Sequence, residues 1–403
     1  MMRSSAKRAS ALILASIMIF VLAGCGKTAG PVSAETLESG ESRAADFALR
    51  LISACREKGD NTLVSPLSVM AALSMTANGA EGNTLAQIEK VLGFSRDELN
   101  GFLQSYRNYL AAAQGGELRS ADSVWYTDDA DFAVNKEYLK VCTDSFGAES
   151  FRTRFDSSAK DAINNWVSRK TKGLIPGILD QISEDALVYL VDALAFEAEW
   201  EDVYRKDQVH SGTFTCADGT TQSADYMFSF EGKYLETENA VGFIKNYKKG
   251  DFAFAALLPK DGCTPDDVIA SLDGSSLIML LSSPEETSVH ANVPKFEISF
   301  DADLAGTLAG MGITDAFDMS KADLSGIGTS RQGPVYINRV LHKTYISVFE
   351  KGTKAGAATA VEMTSGANPN SIKQVWLNRP FVFMLIDRTT DIPFFIGVVE
   401  EVI

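Results

Sequence analysis

The chain is poor in histidine, with only His210, His290 and His342 among 403 residues, and that scarcity removes most catalytic and metal-binding chemistry at the outset. No HExxH metal helix, GxxxxGK phosphate loop or GxSxG nucleophile turn occurs, so metalloproteases, nucleotide-binding enzymes and lipases lack their starting residues. A triad of distant residues leaves no spacing in sequence, but nothing else points to one. The expectation is a protein that is not an enzyme and carries no cofactor or metal. CxxC is absent too, and Cys55, Cys142, Cys216 and Cys263 are spaced irregularly, which fits buried thiols better than a disulfide framework at this length. Asp128, Asp129 and Asp131 cluster without calcium-loop spacing and read as a solvated turn. Basic residues are outnumbered, 37 against 53 acidic, for a net charge of -16. That balance argues against nucleic acid as a partner and favours basic partners.

Long apolar runs are nearly absent. Ala11 to Ala23 is a stretch of 13 residues, short of the roughly 20 that a transmembrane helix needs. Arg3, Lys7 and Arg8 precede it and Leu22-Ala23-Gly24-Cys25 closes it, so residues 1–24 read as a processing signal. A cysteine directly after Leu-Ala-Gly resembles the bacterial lipoprotein signal. That resemblance implies lipid on Cys25 and a secreted protein anchored to the extracytoplasmic face of a bacterial membrane. The alternative is plain secretion with an incidental cysteine. Residues 25–42 are polar and small and read as a lipidated tether, leaving 43–403 as a single domain.

Hydrophobic residues make up 45% of the chain, enough for a sizeable core. A helix is expected from Asp46 to about Lys58. Another follows Ser65, which can cap it, with Pro66 in the first turn. Thr84 with Gln87, and Ser158 with Asp161, have the capping-box spacing at two further helix starts. Later the texture changes: 186–200, 251–259, 289–300, 336–349 and 375–403 are rich in Val, Ile, Phe and Tyr, as strands are. Helices come early and sheets dominate later, an α+β pattern.

Between two such strands lies FEKGTKAGAATAVEMTSGANPN, Phe349 to Asn370, full of alanine and glycine. Thr353, Ala355, Ala357, Thr359, Val361 and Met363 share one strand parity and carry no charge; Lys354 and Glu362 fall in the other. Such a segment can enter a sheet without burying charge. A low-complexity surface loop is the plainer alternative.

Glu350-Lys351-Gly352-Thr353-Lys354-Ala355-Gly356-Ala357-Ala358-Thr359 resembles the hinge of the serpin family, suicide inhibitors of serine and cysteine proteases. NRPFVFMLIDRTTDIPFFIGVV from Asn378 resembles the strand pair that closes that fold. NTLVSPLSVMAALSMTANGAEGNTLAQ, AINNWVSRKTKGLI and VPKFEISFDADLAGTLAGMGITDAF agree in order, so the resemblance runs from about Asp46 to Glu400. It implies a metastable fold of three β-sheets with eight or nine helices and an exposed reactive loop at about 350–373. A protease attacks that loop and forms a covalent acyl complex, and the cut loop inserts into the main sheet, about 14 residues at roughly 3.3 Å each. The partners implied are a serine or cysteine protease and, through Cys25, a lipid bilayer; the chain is expected to be a monomer.

By the same resemblance the hinge is Glu350, Gly352, Thr353, Ala355, Ala357, Ala358 and Thr359. Ser65, Ser68 and His342 match residues of the shutter beneath the opening sheet, and Lys295 pairs with Glu350 where insertion begins. Asp192 stands where the family has an asparagine partner for the histidine, so a charge-assisted His342–Asp192 hydrogen bond is expected. Trp200 is expected to pack at the breach, although Glu197-Ala198-Glu199-Trp200 departs from the family sequence. Counting from Glu350 puts the scissile bond at Gly366–Ala367; counting back from Asn378 puts it near Pro369. Met363, Thr364, Ser365 and Asn368 stay open as alternatives. No basic residue falls in that window, so elastase-like, subtilisin-like or papain-like targets fit and trypsin-like ones do not. A non-inhibitory surface binding protein of the same fold is the rival reading.

Overall fold

A computed structural model describes residues 34–183, 186–331, 333–353 and 372–402, with side chains described from residue 40. Its helices are α1 (Ala34–Cys55), α2 (Pro66–Ala77), α3 (Gly82–Leu92), α4 (Arg96–Ala112), α5 (Lys136–Phe146), α6 (Ser157–Lys170), α7 (Pro265–Ala270), α8 (Gly274–Ser282) and α9 (Ala305–Met311). Among the described residues there are three sheets, and the architecture is α+β as expected. None of the described helices is long and apolar enough to cross a membrane.

The main sheet has six strands. In spatial order they are β11 (Phe296–Asp303), β13 (Leu341–Phe349), β14 (Gly352–Thr353), β5 (Val188–Glu199), β2 (Gly116–Thr127) and β4 (Glu149–Thr153). A nine-stranded sheet runs β1 (Thr62–Val64), β17 (Pro393–Val399), β16 (Phe381–Asp387), β9 (Phe252–Pro259), β8 (Ala240–Asn246), β7 (Thr221–Glu236), β10 (Glu285–Pro294) and β15 (Lys373–Trp376), with β6 (Val209–Thr215) also on β7. A small ladder joins β3 (Phe132–Val134) to β12 (Gly328–Ser330).

Strands β9, β16 and β17 are buried throughout, which is why they read as unbroken apolar runs rather than alternating ones. Helix α2 is buried on nearly every side, between β5 of the main sheet and β17. Its start is as expected: Ser65 caps it, its Oγ accepting from Ser68 N at 3.2 Å, and Pro66 occupies the first turn. The run expected at 289–300 breaks into β10 and β11 around Lys295, where the chain passes from one sheet to the other.

Three expectations fail, two for tertiary reasons and one for a local reason. Helix α1 begins at Ala34 rather than Asp46, because Gly40, Ala44, Ala45 and Ala48 give it a small-residue face; a Cβ on Gly40 would fall 2.6 Å from the Phe102 ring. Thr84 and Gln87 form no capping box. Thr84 Oγ1 accepts from Asp323 N at 3.0 Å, and Gln87 Oε1 accepts from Thr314 N and Asp315 N, both at 2.9 Å. In α6 the cap is Asp156, whose carboxylate accepts from Ser158 N at 2.9 Å, ahead of the expected Ser158. A complete capping box does form at α4, between Ser95 and Glu98. Ser95→Ala should lower stability by about 1 kcal/mol, read as a reduced denaturation midpoint with an unchanged slope.

Candidate functional site

The main sheet is open along one seam. Strands β5 and β13 would be neighbours, but at its upper end each pairs with β14 instead, and no direct ladder joins them among the described residues. Val348 and Phe349 pair with Thr353 and Gly352, which pair in turn with Ala198 and Glu199. The chain leaves β13, turns through Glu350 and Lys351, and re-enters the sheet beside itself. Gly352 permits that turn: its φ is +141°, and a Cβ there would lie 2.1 Å from the Ala198 carbonyl oxygen.

Side chains around the mouth of the seam hold this tip. Trp200 N donates to Lys351 O at 3.0 Å, Trp200 Nε1 to Phe349 O at 2.9 Å and Tyr204 N to Glu350 O at 2.9 Å. The Trp200 ring stacks on Tyr247 with centroids 4.4 Å apart, so its role is structural packing. Tyr247 OH meets Thr353 Oγ1 at 2.5 Å, and both residues are fully buried. Below them the buried Lys245 pairs with Glu231 at 2.9 Å. Burial works against its charge, but the Glu231 carboxylate wins and holds its pKa above the ordinary lysine value. On the rim Lys295 and Glu350 pair at 2.6 Å, as expected. Burial works to raise the Glu350 pKa, while the Lys295 hydrogen bond, a backbone hydrogen bond and the Lys295 charge together outweigh it and leave the carboxyl below its usual range.

Lower down, the seam becomes a cavity of about 300 Å³ between the starts of β5 and β13 and over α2, with Ser68, Asp192 and His342 in its wall. The expected His342–Asp192 hydrogen bond is not made. His342 Nε2 accepts from Ser65 N at 3.1 Å, and Asp192 accepts from Ser68 Oγ, so each strand is tied separately to the head of α2. With the seam open, the two side chains stand on opposite walls. Burial pushes His342 down to about 4, with Asp301 opposing, so the ring is neutral and its Nε2 free to accept.

Asp192 meets a different acid. It lies directly opposite Asp122 in the antiparallel ladder of β2 and β5, and Ser120 Oγ donates to Asp122. Burial first, and then the Asp122 charge and hydrogen bond, push the Asp192 pKa well above the carboxylate range. Asp192 therefore keeps a proton that Asp122 can share. Behind the pair a void of about 170 Å³ is bordered by Arg107 of α4. The seam residues that sequence reading missed, Asp122, Tyr204, Lys245 and Tyr247, come from other strands and loops. None carries a local motif, and only the pairing of β2 with β5 brings Asp122 to the site.

Ala355, Ala357, Ala358, Thr359, the window from Met363 to Asn368, and Cys25 lie outside the described residues. The four cysteines in the described part are free, and burial pushes Cys55 and Cys142 up to about 12, which leaves them unreactive thiols.

A sheet with an open seam, and a tip of the same chain already seated in its mouth, defines a protein built to take its own loop as an added strand. The family model described as Serpin (serine protease inhibitor) matches residues 42–402, and the chain belongs to the serpin family. Serpin B10 of Bos taurus is 28% identical over 84% of this chain and 93% of its own length. A serpin-like protein of Methanosarcina acetivorans is 30% identical over 86% of this chain and 82% of its own. The crystal structure of the thermophilic serpin tengpin in its native state has 42% identity and a TM-score of 0.86, covering 92% of this chain and 95% of that one. Tengpin in its latent state has a TM-score of 0.81 at the same identity, covering 92% and 99%. Protease inhibition by insertion of a reactive-centre loop is the family mechanism, and the protein acts as an inhibitor rather than an enzyme.

The two buried acid–base groups give opposite pH limbs. For His342 the folded pKa is depressed, so its contribution is present above about 6.5 and lost as pH falls through about 4. For Asp192 it is raised, so its contribution is present at low pH and lost as pH climbs from the ordinary aspartate range through the folded value. Asp192→Asn should therefore unfold at a higher temperature than the parent at neutral pH, with the gap widening as pH rises. Melting curves across pH that stay parallel for parent and variant would show that the Asp122–Asp192 pair holds no extra proton.

Proposed function

We propose that the chain is a suicide-substrate inhibitor of serine proteases of elastase-like or subtilisin-like specificity, and that residues 350–373 are its reactive loop. The observation that carries this reading is β14: insertion has a seated starting point, with Gly352 and Thr353 between β5 and β13. The residues that would follow are small, and a small residue crosses a closing seam with least steric cost. The window from Met363 to Asn368 offers no basic side chain, which suits a restricted or permissive specificity pocket.

In the proposed reaction the protease serine Oγ attacks the carbonyl carbon of Gly366. An ester forms, the bond to the Ala367 nitrogen breaks, and the leaving amine takes the proton. The freed strand then runs down the seam before water reaches the ester. If the β14 register continues, Thr359 comes to lie opposite Asp192 on β5 and opposite His342 on β13 at once. Its hydroxyl would then stand between the two shutter residues that the open seam keeps apart. Thr353 is the hinge residue of the same parity, and its side chain is already buried, as the charge-free parity class requires.

Cys25 is proposed as the lipid attachment site, with residues 1–24 removed, which would hold the inhibitor at the outer face of a bacterial membrane. The support is the Leu-Ala-Gly-Cys sequence after a short apolar run. Cys25→Ser should release the protein from the membrane fraction in cells labelled with a radioactive fatty acid. Label retained on the variant would refute the anchor.

Incubation with pancreatic elastase, subtilisin or papain should give an adduct stable on denaturing gels, and the mass of the released carboxyl-terminal peptide should place the cut. Thr353→Arg, which forces a charge into the buried mouth, should abolish the adduct and turn the protein into a substrate, whereas Thr359→Val should lower adduct yield only partly. Clean cleavage of the parent with the protease still active would favour the non-inhibitory reading, and an adduct with papain alone would move the target to cysteine proteases.

A further inference from the structure

Beside the end of the loop, one face of the nine-stranded sheet breaks the ordinary pattern of polar residues outward. On β10 and β15 the inward residues are apolar, Val289, Ala291, Val293 and Val375 all being buried, and β7 turns Met227 and Ser229 inward beside them. The outward positions of the same strands carry Phe228, Phe230, His290 and Trp376. These rings form one contiguous surface. Phe228 and His290 have centroids 4.5 Å apart, Phe230 and His290 5.3 Å, and His290 and Trp376 5.8 Å. Phe230 is 57% and Trp376 44% exposed, with Phe228 and His290 half-buried between them.

Exposed rings scattered singly need no explanation, whereas a contiguous aromatic face on a soluble protein marks an interaction surface. Rigid aromatic groups dominate binding energy at protein interfaces, because they bury much area for little conformational entropy. The position of this face selects the partner. Strand β15 begins at Lys373, directly after the loop, and Trp376 lies only about 13 Å of extended chain beyond Ile372. A protease holding the carboxyl-terminal half of the loop in its cleft would rest its rim above β15 and β10. The charge of the chain selects the chemistry of that rim. At a net charge of -16 the protein draws in basic surfaces, and guanidinium or ammonium groups stack favourably on Trp and Phe faces.

We propose that Phe228, Phe230, His290 and Trp376 form a docking face for the rim of the target protease, engaging Arg or Lys side chains that flank its active-site cleft. This inference rests on the reading of the chain as a protease trap. The face raises the rate of encounter and the life of the first non-covalent complex; the partition between trapping and cleavage is left to the seam.

The test uses the full chain with Phe230→Ser, Trp376→Ser and the double variant, all at exposed positions. Two quantities are read with pancreatic elastase and subtilisin: the second-order rate of adduct formation with active protease, and the affinity for protease whose catalytic serine is replaced by alanine. The double variant should lose about tenfold or more in both, with the stoichiometry of inhibition unchanged. Adducts formed by all variants within twofold of the parental rate would overturn the docking face and leave the trap standing. No adduct from the parent, but binding of inactive protease that the double variant loses, would overturn the trap and keep the face. Absence of both would overturn both. Sedimentation of the parent as a dimer that the double variant dissolves, without a change in protease binding, would assign the face to a second copy and overturn the proposal.

Discussion

The seam between β5 and β13 is the constraint on which the rest of the structure depends. Two strands in the middle of a sheet normally satisfy one another's backbone groups, and leaving those groups unmet inside a protein is costly. Here β14 supplies partners for only the upper end of the seam. Below it the wall residues make other arrangements: His342 accepts from the head of α2, Asp192 takes Ser68, and a cavity fills the remaining space. A complete strand in that space would add a backbone bond on each side, at about 1 kcal/mol net apiece. A sheet that took in such a strand would therefore be more stable than the open one.

The polar groups around the seam divide into a latch and a floor. The latch is made of geometry and packing: Gly352 allows the turn, Trp200 and Tyr204 hold the carbonyl groups, and Tyr247 meets Thr353 deep in the sheet. It is supported by Lys245 and Glu231, a buried ion pair whose separation would strand a charge. The floor contains titratable groups kept neutral by burial. His342 and Asp192 each carry a pKa displaced against charge, and neither finds an opposite charge among the groups bonded to it. A neutral floor suits a slot that must accept a backbone, since a charged wall would have to be desolvated again as each residue passed.

How much of this was legible in the sequence varies with the range of the interaction. Ser65 and Pro66 announced the start of α2 because a cap and a first-turn proline act within a few residues. The apolar runs at β9 and β16–β17 announced buried strands because period and composition are local. Thr84 and Gln87 misled for the converse reason, their side chains being drawn off by the distant Asp323, Thr314 and Asp315, whereas Ser158 lost the cap to Asp156 two residues away. The Glu350–Lys295 pair was legible only through the resemblance to a family. The His342–Asp192 bond was expected because Asp192 stands where the family has an asparagine partner for the histidine, and here each residue bonds to the head of α2 instead.

By itself the sequence determined the mixed α+β character, the small uncharged parity class after Gly352, and the absence of enzymatic motifs, because these depend on residue type and spacing along one chain. Only the tertiary structure decided that Asp122 stands against Asp192, that Tyr247 closes on Thr353, and that the aromatic residues of β7, β10 and β15 share one exposed face. Each of those depends on which strand lies beside which, and strand order is set by long-range packing that no local window of sequence contains.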